Sequence, residues 1–447
     1  MPPDRAAVPS NPNNTVQWLW SATIQFIRRA RYLRPQQDKQ GVFQRRFRAG
    51  MRPVGNYPCV YTHLAFFVAT KPELGYNRGS RATKRRKPMS KPALEKTDIP
   101  DAAHLCAMPA LLLDWYDRHK RSMPWRDTPT PYRVLVSEIM LQQTQVDTVI
   151  PYFRRFVEEL PGFSALAAVD DERLLKLWQG LGYYRRAHNL KKAARQVAEQ
   201  YDGVLPADYD AIRALPGVGD YTAGAVASIA FGIAVPAVDG NVLRVMARLT
   251  GWEADIAAAS TKTSCAGLLR GLIPLGRAGD FTQALMELGA LVCRPGEQAK
   301  CSICPLTGLC TAHREERVAR LPVKTPARAR REENRTILML SQEERLLIRK
   351  RSGRGLLSGL YEPANLEGWL SSDDIAGWVE ARSGRVEAIT PLGEADHHFS
   401  HITWHMRGWL VHTKNMAPSD GFFATPDDLR KTYALPAAFR HFIEQVL

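Results

Sequence analysis

The chain has 447 residues and a formal net charge of +16, with 45% hydrophobic residues, which is enough for two or three domains with cores of their own. Residues 1–100 hold 19 Lys and Arg against 5 Asp and Glu, so most of the excess charge belongs to them. An anionic partner of the remainder must therefore be met by local basic patches and backbone N–H groups. There is no apolar run of about 18 residues and no secretory pattern, so no membrane span is expected.

Residues 1–107 are rich in Arg, Pro and Gln, carry the basic knot Lys84-Arg85-Arg86-Lys87 and show no sustained periodicity. They read as a basic, disordered extension: a tail on nucleic acid, an organellar transit segment, or residues upstream of a true start at Met108. The last is favoured, because interpretable sequence begins there. From Met108 to Cys310 the apolar spacing is helical almost throughout, at Leu111–His119, Ser137–Leu160, Asp170–Gln179, Arg186–Gln200 and Asp280–Val292.

Within the Ser137–Leu160 segment, Glu138 abuts the apolar stripe of Leu135, Ile139 and Val146. Desolvation there would keep its carboxyl protonated, as a general acid requires. A first-turn glutamate favoured by the helix dipole is the opposing reading. Leu181-Gly182-Tyr183-Tyr184-Arg185-Arg186 joins two helices. An exposed Leu181 and Tyr183 beside arginine suit a wedge in a base stack, although aromatics folded onto the core suit the segment equally well.

Leu215-Pro216-Gly217-Val218-Gly219 reads as a hairpin between the helices Asp208–Leu215 and Asp220–Phe231. Its two glycines bare backbone N–H groups that can meet a phosphate. Val238-Asp239-Gly240-Asn241 then sets a carboxylate just before another helix, where it is either an N-cap or a reactive group. Cys293, Cys301, Cys304 and Cys310 give C-x7-C-x2-C-x5-C, suited to a [4Fe–4S] cluster or tetrahedral zinc.

The charged stretch 314–334 reads as a linker. Beyond it the character becomes α+β. Thr336–Leu340 and Leu346–Arg349 look like strands around a polar turn, and Ile402–His412 like another.

Together these motifs resemble the MutY-type adenine DNA glycosylases of the helix-hairpin-helix (endonuclease III) superfamily. The resemblance covers Met108 to Leu447 and adds Pro124-Trp125-Arg126 and Gly180-Leu181-Gly182-Tyr183-Tyr184 to the strings above. It implies a mainly α fold: a two-lobed helix-hairpin-helix glycosylase core with an iron–sulfur cluster loop, plus a C-terminal α+β Nudix-like domain. One lobe, with the cluster, would span 108–126 and 235–313. The six-helix lobe would span 127–234, and the Nudix-like domain 335–447. The first cysteine gap is seven residues here where the family's is six. No glutamate-rich Nudix box follows Gly359–Glu367, so that domain is expected to read a base without hydrolysing anything.

The resemblance also implies a monofunctional enzyme that hydrolyses the N-glycosidic bond of adenine opposite 8-oxoguanine, or guanine, in duplex DNA. Glu138 would protonate the base and Asp239 would stabilise the sugar cation, with Tyr221 and Asn241 orienting Asp239 and the sugar. Arg121, Trp125, Arg126, Leu141, Val146 and Gln283 would form the adenine pocket. Gln143, Thr144, Leu181, Tyr183, Gly217, Val218 and Gly219 would meet DNA. Phe399, Ser400 and His401 would read 8-oxoguanine, and the four cysteines would hold [4Fe–4S]. The protein would act as a monomer on mispaired double-stranded DNA, with no membrane partner. Its place would be the bacterial nucleoid and cytoplasm, or a eukaryotic nucleus or mitochondrion. Two rivals remain: an endonuclease III-like lyase, which needs a nucleophilic lysine where Tyr221 stands, and a catalytically silent DNA-binding protein.

Overall fold

The computed structural model describes residues 102–447 apart from 327, 328, 354 and 419. The sequence readings for residues 1–101 lie outside the described residues. Packing begins ahead of Met108: Leu105 is fully buried, and His104 Nε2 lies 3.3 Å from the carbonyl of Leu249.

The helical part contains α1 (Met108–His119), α2 (Pro131–Leu141), α3 (Val146–Glu159), α4 (Asp171–Trp178), α5 (Arg185–Gln200), α6 (Tyr209–Arg213), α7 (Asp220–Phe231), α8 (Gly240–Thr250), α9 (Ala259–Arg270) and α10 (Ala278–Leu291). Two apolar cores organise them. One gathers Leu135, Ile139, Phe153, Phe156, Trp178, Leu190 and Val226 from α2–α5 and α7, together with Trp125 ahead of them. The other gathers Leu112, Val242, Met246, Leu269 and Leu288 from α1 and α8–α10, together with Leu105 ahead of α1.

The expected continuous helix Ser137–Leu160 is two helices. α2 starts earlier, at Pro131 with Thr130 as its cap, and ends at Leu141; α3 starts at Val146. Glu138 therefore sits near the C-terminal end of α2, and the first-turn reading of it fails. The apolar spacing runs across the break because both helices turn their apolar faces into one core.

The C-terminal part is a seven-stranded mixed sheet with β1 (Arg331–Gln342), β2 (Arg345–Lys350), β3 (Tyr361–Glu362), β4 (Ala364–Glu367), β5 (Arg385–His398), β6 (Ile402–Lys414) and β7 (Phe422–Ala424). The order is β3-β2-β1-β6-β5, with β4 on β1 and β7 on β2. β1 takes the last residues of the expected linker. Its turn to β2 runs through Glu343 and Glu344, both left-handed at φ 50° and 57°, as a tight hairpin turn requires. β1 and β6 run parallel from Arg331↔Ile402 onward, so the end of the linker lies beside the turn 399–401. Apolar clusters cover both faces of the sheet. No helix among the described residues is long and apolar enough to cross a membrane.

Candidate active site and nucleic-acid interface

Glu138 lies on the buried side of α2 at 5% exposure. The hydroxyl of Tyr221, from the first turn of α7, donates to its Oε2 at 2.7 Å. Burial lifts the Glu138 pKa from 4.5 to about 7. The tyrosine hydrogen bond and Arg126 work against that rise, and the nearby charge of Asp239 adds to it. Tyr221 is pushed well above its ordinary value, by burial first and then by the two carboxylates. A neutral hydroxyl thus faces a carboxyl poised to hold its proton near neutral pH.

Asp239 is the N-cap of α8. Its Oδ1 accepts from the Val242 N–H at 2.7 Å, and its Oδ2 from Asn241 Nδ2 at 2.8 Å. Burial raises its pKa, and these donors together with Arg244 oppose the rise. The capping and reactive readings of Asp239 are compatible, because capping fixes the carboxylate's direction. Asn241 donates to Asp239, the partner the sequence reading pairs it with, whereas the Tyr221 hydroxyl, read as another partner of Asp239, is bonded to Glu138.

Asn241 is itself held, its Oδ1 accepting from Arg244 Nη2 at 2.9 Å. Arg244 also donates to the carbonyls of Cys293 and Gly289. One turn on, the fully buried Arg248 places Nη1 3.3 Å from Cys293 Sγ and donates to the carbonyls of Arg294, Gly296 and Leu321. Sequence reading missed both arginines. Their signal is two cations one helical turn apart in the mostly apolar run Val242–Leu249.

The four cysteines line one small cavity with Arg248, Leu288, Val292, Leu306 and His313. None of the four is in a disulfide, and burial pushes Cys304 up to about 11. Among the described residues no three Cys, His, Asp or Glu side chains are arranged to hold an ion. The donor chemistry still suits a cluster: four sulfurs on one cavity wall, beside a buried guanidinium that has no carboxylate partner in its hydrogen bonds.

Glu138, Leu141, Gln143, Leu181, Tyr183, Tyr221 and Asp239 line one cleft of about 1610 Å³, closed on its other side by Lys350, Arg351 and residues 397–401 of the C-terminal part. Gln143 and Tyr183 are exposed and left-handed, at φ 58° and 47°. Leu181 is buried at 5% although it lines the cleft, so the exposure expected of it is not found and Tyr183 alone of that pair faces outward. Thr144 is half-buried against Arg186.

The expected adenine-pocket residues are divided. Leu141 lines this cleft, while Arg121, Arg126 and Gln283 line a separate cavity of about 560 Å³. There Glu287, 2% exposed, accepts from both arginines, and Gln283 Oε1 accepts from Arg126 Nε at 2.9 Å. Trp125 is buried edge-on against Phe153, and Val146 is half-buried at the start of α3.

In the hairpin only Gly217 is left-handed, at φ 78°, where a Cβ would come within 2.7 Å of Asn189. Gly219 is the extended N-cap of α7, with open space around it. Val218 is buried and anchors the turn. In the β5–β6 turn, Phe399 is folded edge-on to Trp404 and His397, whereas Ser400 and His401 are exposed. Ser400 Oγ lies 3.4 Å from the Tyr183 hydroxyl, so the expected base-reading turn meets the expected wedge across the cleft.

The profile of the HhH-GPD superfamily base excision DNA repair proteins matches residues 136–270, and that of the NUDIX domain matches residues 335–445. The human adenine DNA glycosylase is 35% identical over 68% of the chain and 66% of its own length. The mouse protein is 44% identical, over 48% of the chain and 43% of its own. The chain thus spans about half to two-thirds of these mammalian relatives. The fission yeast (Schizosaccharomyces pombe) adenine DNA glycosylase is 32% identical over 71% of the chain and 85% of its own length. A solved thermostable thymine-DNA glycosylase covers 47% of the chain and 97% of its own at 29% identity, with a TM-score of 0.43. With two carboxylates on one cleft and the fission yeast relative matched over 85% of its length, the chain belongs to the adenine DNA glycosylase family of helix-hairpin-helix base-excision repair proteins.

Proposed function

We propose that the protein removes adenine mispaired with 8-oxoguanine, or with guanine, from duplex DNA and leaves an abasic site. The observation that carries this reading is the pair of carboxylates on one cleft: Glu138, desolvated and facing a neutral hydroxyl, and Asp239, fixed by two donors. The target nucleotide must leave the stack to reach them. Gln143 and Tyr183 are the exposed side chains that would hold the duplex open, with Thr144 supporting Gln143. The Gly217–Gly219 backbone would grip a phosphate.

Protonated Glu138 gives its proton to adenine N7, so adenine leaves neutral. Positive charge then develops at C1′, and Asp239 stabilises it or bonds to it transiently before water completes hydrolysis. Tyr221 occupies the position at which a lyase would need an amine, and its hydroxyl is committed to Glu138. The chemistry therefore ends at the abasic site. Arg121 and Arg126, tied together by Glu287, and Gln283, held by Arg126, would frame the base with Trp125. Phe399, Ser400 and His401 would read the opposite base.

Cys293, Cys301, Cys304 and Cys310 would hold a [4Fe–4S] cluster, which shapes the loop between Cys293 and Cys310 and takes no part in hydrolysis. The partner is double-stranded DNA, bound by a monomer.

The test is single-turnover excision on adenine:8-oxoguanine and adenine:guanine duplexes, with borohydride trapping in parallel. Free adenine, an alkali-labile site and no trapped adduct are expected. Intact strands under single-turnover conditions overturn the reading, and a borohydride-trapped adduct overturns its monofunctional part.

A further inference from the structure

Arg186, the second residue of α5, is 8% exposed and has no carboxylate among its hydrogen-bond partners. Its Nη1 donates to the carbonyls of Ile139 at 2.9 Å and Met140 at 2.8 Å, and to that of Gln142. Its Nη2 donates to the carbonyls of Leu181 at 3.1 Å and Gly182 at 3.2 Å, and to Thr144 Oγ1 at 3.2 Å. The first set includes carbonyls left over where α2 ends. The second belongs to the loop before α5. One guanidinium therefore ties together two loops remote in sequence. Each loop carries an exposed, left-handed residue that is not glycine: Gln143 on one and Tyr183 on the other. The same guanidinium lies over the Tyr183 ring, 5.4 Å from its centroid. Residues of this type adopt positive φ only where their surroundings impose it, and both tips are built around Arg186.

We infer that Arg186 is a positioning residue that fixes Gln143 and Tyr183 relative to one another, so that the two tips enter the duplex together. This rests on the reading above that these tips open the DNA. A lysine keeps the charge, but its single ammonium cannot span both loops as the planar fork does. A group that only satisfied buried carbonyls would affect stability and leave the coupling between the tips untouched.

The test uses the full chain and a duplex with 2-aminopurine in place of the target adenine, whose fluorescence rises on unstacking. Wild type, Arg186→Lys, the double variant Gln143→Ala/Tyr183→Ala and the triple combination are compared. Arg186→Lys should slow opening by about tenfold, while binding to undamaged duplex stays within about threefold. In the double-variant background the same substitution should add less than about twofold, because its effect runs through the tips. Opening within about twofold of wild type in Arg186→Lys, or a full tenfold further loss in the background lacking both tips, overturns the inference. Should Arg186→Lys not fold, Thr144→Val removes one contact alone; it should slow opening about twofold, and only when the tips are present. Excision is followed separately, so a wild type that opens DNA without releasing adenine refutes the assigned reaction and leaves this inference tested.

Discussion

Replacing Glu138 by Gln should abolish excision and also change how stability depends on pH, and the second effect can be calculated from the structure. Burial lifts the Glu138 pKa from 4.5 to about 7. Between those values the folded protein holds a proton that the unfolded chain has released. The folded-state pKa is the raised one, so the favourable contribution is complete below about pH 4.5 and is lost as pH rises through about 7. The difference between 4.5 and about 7 corresponds to about 3 kcal/mol. The amide introduced by Glu138→Gln does not titrate and keeps the Tyr221 hydroxyl as a partner, so the variant lacks this pH-dependent loss. Urea titrations of both proteins at pH 5 and pH 8 should show the variant gaining about 2–3 kcal/mol relative to wild type on going to the higher pH, because a pH-independent difference in the hydrogen bond cancels between the two measurements. Wild-type excision should fall across the same window, since the protonated fraction falls tenfold per pH unit above 7. A constant stability difference between the two proteins, with a flat wild-type rate from pH 6 to 9, would show that Glu138 is ionised throughout and that another group protonates the base.

Asp239→Asn should keep DNA binding and lose excision by on the order of 10² or more, because an amide cannot offset charge at C1′; unchanged single-turnover kinetics would remove it from that role. Phe399→Ala with Ser400→Ala should narrow the ratio of excision rates on 8-oxoguanine and guanine duplexes by about 1–3 kcal/mol, and an unchanged ratio would move recognition to Gln143 and Tyr183. Gly217→Ala should cost more than Gly219→Ala in duplex affinity and stability, by about 1 kcal/mol or more, since only the former is left-handed and crowded by Asn189; equal melting temperatures and affinities would refute this. Anaerobically purified protein should contain iron and acid-labile sulfide, and stoichiometric zinc without sulfide would refute the cluster.

Much of the site was legible because its chemistry depends on residue types at close spacing. The turn at Gly217, the N-cap Asp239 and helix Asp220–Phe231 are all local features, and the last has the bounds read from sequence, capped by Gly219 and the left-handed Gly232. Other features were decided by distant residues. Nothing in Gln142–Gln145 announces a helix break, since it holds no Gly or Pro; Arg186 stabilises that break from far along the chain. Leu181 looks like an exposed wedge in sequence and is claimed by the core. β5 went unread because it is an edge strand with little burial, and an edge strand shows no clean alternation. The Glu287 tie between Arg121 and Arg126 joins residues too far apart for any motif to record.

Two carboxyl groups on one cleft can do opposite jobs only if their surroundings differ. Glu138 meets a neutral hydroxyl and buried apolar neighbours, so nothing strong opposes the cost of charging it. Asp239 begins from a lower value and points at a helix N-terminus. It accepts from a backbone N–H and an amide, with the Arg244 guanidinium behind Asn241. All of these favour its ionised form. At neutral pH the first group is poised to hold its proton, while the donors around the second favour its negative charge. On the proposed reaction the tips at Gln143 and Tyr183 would serve the same division, because a base that is not fully extruded would reach neither group. Arg186 secures the end of the helix that carries Glu138 and, through the same guanidinium, the loop that carries Tyr183. Under the proposed reaction, the geometry of proton transfer and the geometry of base opening would therefore share one anchor.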